Sequence, residues 1–90
     1  QIEGCLAQAV GYTLTENMVC RDGKILTPHF SNYLLPTTLD MPTDVYPIFL
    51  EKADPQGPYG ARGVAEMPFS PFAGAVASAG TSATFRGTNA

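Results

Sequence analysis

Met18-Val19-Cys20-Arg21-Asp22-Gly23-Lys24-Ile25-Leu26-Thr27 decides the fold class, because it places a β-hairpin directly after a helical pattern. Two short apolar runs flank Asp22-Gly23. Asp-Gly at the centre of a two-residue loop marks a type I′ turn, in which both central residues take positive φ. Upstream, Ile2, Cys5/Leu6, Ala9/Val10 and Thr13/Leu14 recur every three to four positions, so the spacing predicts a helix over residues 2–16. Gly4, Ala7 and Gly11 fall along an adjacent face. Glycine costs helix stability, and small residues there let a backbone or ligand approach closely.

Downstream of the hairpin, Pro28, Pro36 and Pro42 punctuate a wandering connection. Residues 45–51 are rich in β-formers and read as a strand. Pro47 removes one backbone donor within it, which assigns the strand to an edge or a bulge. Residues 52–65 form a long loop, with Gly57, Gly60 and Gly63 at every third position and Pro55 and Pro58 between them. Loops of that length are functional or disordered. A second helix starts at Ser70-Pro71, with Ser70 as N-cap and Pro71 at the first helical position. Phe72, Val76 and Ala79 make its apolar edge, and Ala73 and Ala77 a small one. Periodicity ends at Gly80, and residues 80–90 read as an irregular or disordered tail. The expected fold class is α+β: two helices packed on a small, mostly antiparallel sheet made of the hairpin plus one strand. Its expected core is Leu14, Phe49, Leu50, Phe72 and Val76.

Ninety residues make at most one small domain, whose independent stability would be marginal. At 44% hydrophobic the chain is not compositionally disordered, yet 14% charged is low for a domain with so much surface. Some of that surface is expected to face protein rather than water. The first residue, Gln1, opens straight into the amphipathic pattern, as in a piece of a longer chain. The net charge is −3 and Arg21, Lys24, Lys52, Arg62 and Arg86 are scattered, which argues against nucleic acid as a partner. No apolar run approaches the length of a membrane span, about 20 residues. Cys5 and Cys20 have no zinc spacing and read as two buried thiols in a reducing compartment, hence a cytoplasmic location. His29 has no second ligand at useful spacing, so no metal site is expected from protein side chains.

Glu66 is the residue with chemical promise. It follows the glycine-rich loop and precedes Met67-Pro68-Phe69, so its neighbours are apolar. A carboxylate partly desolvated there would shift toward the range useful to a general base. The ordinary alternative is a glutamate near a helix start, where the macrodipole favours it. The loop could also hold an anion through its backbone N–H groups, with Arg62 adding charge.

The order of several short motifs is more specific than any one of them. Gln1-Ile2-Glu3-Gly4, Gln8-Ala9-Val10-Gly11 and Thr15-Glu16-Asn17-Met18-Val19 come first. Asp22-Gly23-Lys24, Asn32-Tyr33-Leu34-Leu35-Pro36-Thr37 and Asp40-Met41-Pro42 follow. Gly57-Pro58-Tyr59-Gly60-Ala61-Arg62-Gly63-Val64-Ala65-Glu66 closes the series. Together they resemble the C-terminal part of the molybdopterin-binding (large) subunit of the xanthine dehydrogenase and aldehyde oxidase family, over about residues 1–79. The resemblance implies that Glu66 is the catalytic base and that Gln1, Gly63, Val64 and Ala65 contact a molybdenum–molybdopterin cofactor. It implies a fragment of a larger cofactor-binding domain, and oxidation of N-heterocycles or aldehydes with water as oxygen source. Iron–sulfur clusters and FAD would lie in partner domains or subunits. Arg62 stands where the family usually has lysine, and Ala65 where it usually has glycine. Residues 80–90 depart from the family pattern. The competing expectation is an isolated, non-catalytic structural or interaction module, motivated by the chain's length and its lack of a complete cofactor site.

Overall fold

The first helical pattern folds as one continuous rod in two parts. Helix α1 spans Ile2–Val10, and its last turn, Gly11–Thr15, winds as a π-helix. The bond from the Glu16 N–H to the Gly11 carbonyl, 2.8 Å, is the i→i+5 link that closes this wide turn. The structure is a computed structural model that describes residues 1–87, with side chains to residue 84. After α1 comes a hairpin of β1 (Cys20–Arg21) and β2 (Lys24–Ile25), then short 3₁₀ turns at Thr38–Asp40 and Pro58–Gly60. The chain then enters a long helix α2, Phe69–Gly87.

The hairpin forms at the predicted turn. Cys20 pairs with Ile25 and Arg21 with Lys24, antiparallel. Asp22 and Gly23 have φ of 49° and 74°, the positive pair that the Asp-Gly dipeptide accommodates. Leu26 N–H donates to the Val19 carbonyl at 2.8 Å, and Val19 N–H to the Thr27 hydroxyl at 3.1 Å, so the two arms stay tied beyond the ladder.

Helix α1 is anchored at its far end by the segment after the hairpin. The Thr15 hydroxyl donates to the Leu34 carbonyl at 2.8 Å, and the Tyr33 hydroxyl donates to a Glu16 carboxylate oxygen. Pro36 lies against Gly11, where an added Cβ would sit 2.6 Å from Pro36 Cδ. The closeness that the small face of α1 suggested is therefore used at Gly11, by this chain's own proline.

The α+β class stands, with two helices and a small antiparallel sheet. Several details differ from expectation. Residues 45–51 form no strand: the hairpin arms are two residues each and offer no free edge long enough to pair with them. The helices pack mainly on each other. The core is Cys5, Ala9 and Val10 on α1, with Gly11 beside them. Of the expected core, Phe72 and Val76 are half-buried, while Leu14, Phe49 and Leu50 are exposed. Leu14 leaves the stripe because the π turn adds a residue and shifts the helical phase. Cys20 is exposed on the hairpin; only Cys5 is the buried thiol expected.

Helix α2 begins one residue before the predicted cap, so Ser70 and Pro71 both lie in its first turn, where a missing N–H costs nothing. It also continues past Gly80, where an irregular tail was expected. Apolar periodicity reports burial, not helicity. Ala, Ser and Thr sustain an exposed helix there, with the Thr81 and Thr84 hydroxyls bonded back to the Ala77 and Gly80 carbonyls at 3.0 Å. Residues 88–90 of the predicted tail lie outside the described residues. The radius of gyration is 17.7 Å, against about 12 Å for a compact domain of this length. The chain is open, which explains why so little of its apolar surface is buried.

Candidate active site beside Glu66

Gln1, Gly4, Cys5 and Gln8 share one face of α1, since positions three, four and seven apart stack along a helix. Gln1 occupies the N-cap position. Its carbonyl accepts the Cys5 N–H at 2.9 Å, but its side chain makes no capping bond. The carboxamide is thus not spent on the helix it precedes.

Glu66 reaches this face from the other end of the sequence. The turn before α2 is closed by a bond from Phe69 N–H to the Glu66 carbonyl, 3.2 Å. The Phe69 ring packs on the Tyr12 ring, with centroids 5.1 Å apart and planes tilted by 52°. With Phe69 held beside Tyr12, the residues just before it run alongside the earlier turns of α1. Gln1, Gly4, Cys5, Gln8, Ala65 and Glu66 line one pocket of about 340 Å³. Gln8 and Glu66 also line an adjoining one of about 270 Å³ with Phe69 and Ser70.

Of the five residues singled out from the sequence, Gln1, Ala65 and Glu66 come together in one pocket. Gly63 and Val64 do not line it. Val64 faces a different concavity, of about 330 Å³, with Ile2, Ile48, Phe49, Leu50, Arg62, Met67 and Pro68. Gly63 is exposed, and nothing in the chain lies within 4 Å of where its Cβ would be. Arg62 Nε lies 3.6 Å from Asp54 Oδ2, so the cation of this loop is engaged by the loop itself. Glu66 is exposed, as is Met67. The apolar neighbours that were expected to desolvate the carboxylate do not enclose it within this chain.

Gln8 carries no role in the sequence reading, yet it borders both concavities at Glu66. Its signal was the i, i+7 spacing from Gln1 on the face that also holds Gly4. The donor set is informative. Carboxamides at Gln1 and Gln8 can donate hydrogen bonds, Glu66 can accept a proton, and Gly4 and Ala65 leave room. Among the described residues no three His, Cys, Asp or Glu side chains converge to hold a metal ion. The wall offers hydrogen-bond donors and one carboxylate to an organic ligand on one side. No helix of the described residues is long and apolar enough to cross a membrane.

Comparison with known proteins defines the class. Residues 1–42 match the family model of the molybdopterin cofactor-binding domain. The chain is 31% identical over 86 residues to a xanthine dehydrogenase molybdenum-binding subunit of Escherichia coli, covering 93% of this chain and 11% of that protein. It is 40% identical over 67 residues to a probable xanthine dehydrogenase subunit of Bacillus subtilis, covering 74% and 9%. It is 34% identical over 80 residues to the gamma subunit of the 6-hydroxypseudooxynicotine dehydrogenase complex of Paenarthrobacter nicotinovorans, covering 88% and 10%. No solved structure matches. This chain belongs to the family of xanthine dehydrogenase-type molybdenum-binding subunits. It spans about a tenth of the length of the curated relatives it matches.

Proposed function

We propose that these residues form part of the active site of a molybdenum-dependent hydroxylase, with Glu66 as its base and Gln1 and Ala65 as contacts to the molybdenum–molybdopterin cofactor. The observation that carries this reading is the pocket shared by Gln1 and Glu66, two residues 65 positions apart in sequence. The net reaction replaces a C–H bond by C–OH, takes its oxygen from water, and releases two protons and two electrons. When bound, the cofactor supplies the two-electron acceptor. Glu66 takes one proton onto its carboxylate, and the Gln1 carboxamide orients the cofactor by donating hydrogen bonds. Gly63 and Val64, in the same loop, are further proposed contacts to the cofactor, although they do not line this pocket.

The proposed substrate is an N-heterocycle or an aldehyde, whose electrophilic carbon can accept the oxygen. Electrons would leave through iron–sulfur clusters and FAD in partner domains or subunits. The partners of this chain are therefore the remainder of the molybdenum-binding subunit, those redox partners and a small-molecule substrate. A cytoplasmic location accords with Cys5 and Cys20 both being free thiols.

The test is Glu66→Gln in the full-length subunit that carries this segment, with molybdenum content measured in parallel. Turnover should fall by at least ~10²-fold, the usual order for a general base, with molybdenum retained. Undiminished turnover at full cofactor loading would remove Glu66 from that role. By itself the 90-residue chain is read as catalytically inactive, a structural module of the larger site, because one helix face and one loop cannot enclose a pterin. Elemental analysis of the purified chain should find no molybdenum; a stoichiometric amount would contradict that.

A further inference from the structure

We infer that residues 45–50, which form no strand within this chain, become an edge strand by pairing with a β-strand elsewhere in the same larger subunit, through the edge formed by Tyr46, Ile48 and Leu50. The inference rests on the proposed reading that these residues are part of a larger subunit. Val45-Tyr46-Pro47-Ile48-Phe49-Leu50 is dense in strand-forming residues. Within this chain its backbone has almost nothing to bond to. Among the described residues its one backbone hydrogen bond runs from the Lys52 N–H to the Leu50 carbonyl, at 2.8 Å, and closes a tight turn at the segment's end.

The side chains are as unpartnered as the backbone. Tyr46 is 82% exposed, and Ile48 and Leu50 are each 89% exposed. Three large apolar groups at every second position, all in water, form a strand face without a sheet. An unpaired apolar strand of this kind invites association unless another element covers it.

Pro47 fixes which edge pairs. Along a strand the N–H and C=O groups of alternate residues point to opposite edges. Residues 45, 47 and 49 share one edge, and Pro47 removes the central donor from it. Residues 46, 48 and 50 keep all their donors on the other. The strand accordingly takes one neighbour. The curated relatives are about nine times as long as this chain, so a subunit of that size has strands to offer. Ile48, Phe49 and Leu50 line a concavity with Val64 and Met67, on either side of Glu66 in sequence. Docking this strand would therefore also brace the segment that carries Glu66.

Amide hydrogen exchange decides the point, in the full-length subunit and in the 90-residue chain at several concentrations. In the subunit, Tyr46, Ile48 and Leu50 should exchange about 100-fold or more slowly than in the short chain, as ladder amides do, while Val45 and Phe49 stay fast. Fast exchange at all five would overturn the inference, as would protection of Val45 and Phe49 with Ile48 unprotected. Protection that rises with concentration in the short chain would assign the partner to a second copy and overturn the stated one. None of these measurements reads turnover, so they stand apart from the test of Glu66 as base.

Discussion

The Tyr12 ring and the Phe69 ring meet at 5.1 Å between centroids, and this contact ties the start of α2, three residues beyond Glu66, to the first helical rod. Phe69 starts α2 and its N–H closes the turn onto the Glu66 carbonyl. Moving Phe69 moves the pocket wall.

Tyr12→Ala should therefore loosen the α1–α2 contact and separate Glu66 from Gln1. An aromatic pair is worth roughly 0.5–1.5 kcal/mol beyond its buried area, and the exposure of Tyr12 puts this one toward the lower end. Tyr12→Phe keeps the ring and should be close to neutral. Urea unfolding compares stabilities, and a distance measurement between labels on α1 and α2 reads the geometry. An unchanged helix–helix distance in Tyr12→Ala would show that other contacts hold the pocket together.

Two glycines of the first helical rod should respond in opposite ways. A Cβ at Gly11 would collide with Pro36 and with the Glu16 carboxylate. Gly11→Ala should push the Pro36 segment away and break the bonds from Thr15 to Leu34 and from Tyr33 to Glu16, a loss in the range of overpacked sites, about 1–3 kcal/mol. A Cβ at Gly4 would meet nothing within 4 Å. Gly4→Ala should raise helix stability by up to ~1 kcal/mol. Helicity by circular dichroism, with denaturation midpoints, separates the two.

Two titrations should mark the ends of the pH range. Asp40 accepts hydrogen bonds from the Thr37 N–H at 2.7 Å and hydroxyl at 2.8 Å, and these hold its carboxyl below the ordinary value of 3.8. Its contribution is present above that value and is lost as pH falls through the lower, folded value. The Tyr33 hydroxyl donates to Glu16, and that bond, with desolvation and the Glu16 charge, raises its pKa above 10.0. Its contribution is present below 10.0 and disappears as pH rises through the higher, folded value. Glu16→Gln should move the Tyr33 phenolate transition, followed by ultraviolet absorbance, back toward 10.0. No movement would mean that Glu16 is not its partner in solution.

Local signals in the sequence carried most of what was legible. Asp22-Gly23 specifies its own turn, because positive φ at two successive residues selects that dipeptide wherever the rest of the chain goes. The α1 stripe is equally local, and its prediction failed only where the π turn displaced Leu14. Residues 45–51 show the limit. Their composition is that of a strand, but pairing needs a second strand, and the described residues offer only the two-residue hairpin arms. The site divides the same way. Gln1 and Glu66 could be singled out from motif order, whereas Gln8 became visible only when the Tyr12–Phe69 contact brought Glu66 to its side of the helix. The exposure of Glu66 could not be read from Met67-Pro68-Phe69, since apolar neighbours in sequence need not fold over a carboxylate.

The loop that leads to Glu66 has an internal clasp. Asp54 donates its N–H to the Gly60 carbonyl at 2.9 Å and accepts the Gly57 N–H on its own carbonyl at 3.2 Å. Its carboxylate accepts the Gln56 N–H at 2.9 Å and pairs with Arg62 at 3.6 Å. Gly60, at φ 78°, completes the turn. The two side-chain interactions can be told apart by substitution. Asp54→Asn keeps an acceptor for Gln56 and gives up the charge. The Arg62 side chain is 58% exposed, so that ion pair is worth little, about 0–1 kcal/mol, and the variant should resemble the parent. Asp54→Ala removes the acceptor as well, and losing a typical hydrogen bond costs about 0.5–1.5 kcal/mol. The Gln56 and Gly57 amides should then exchange faster in Asp54→Ala than in Asp54→Asn. On the proposed role of Glu66 as base, Asp54→Ala in the full-length subunit should also lower turnover without removing molybdenum, because a looser loop holds Glu66 less often in place. Equal exchange in the two variants would show that the charge, not the hydrogen bond, keeps the loop closed.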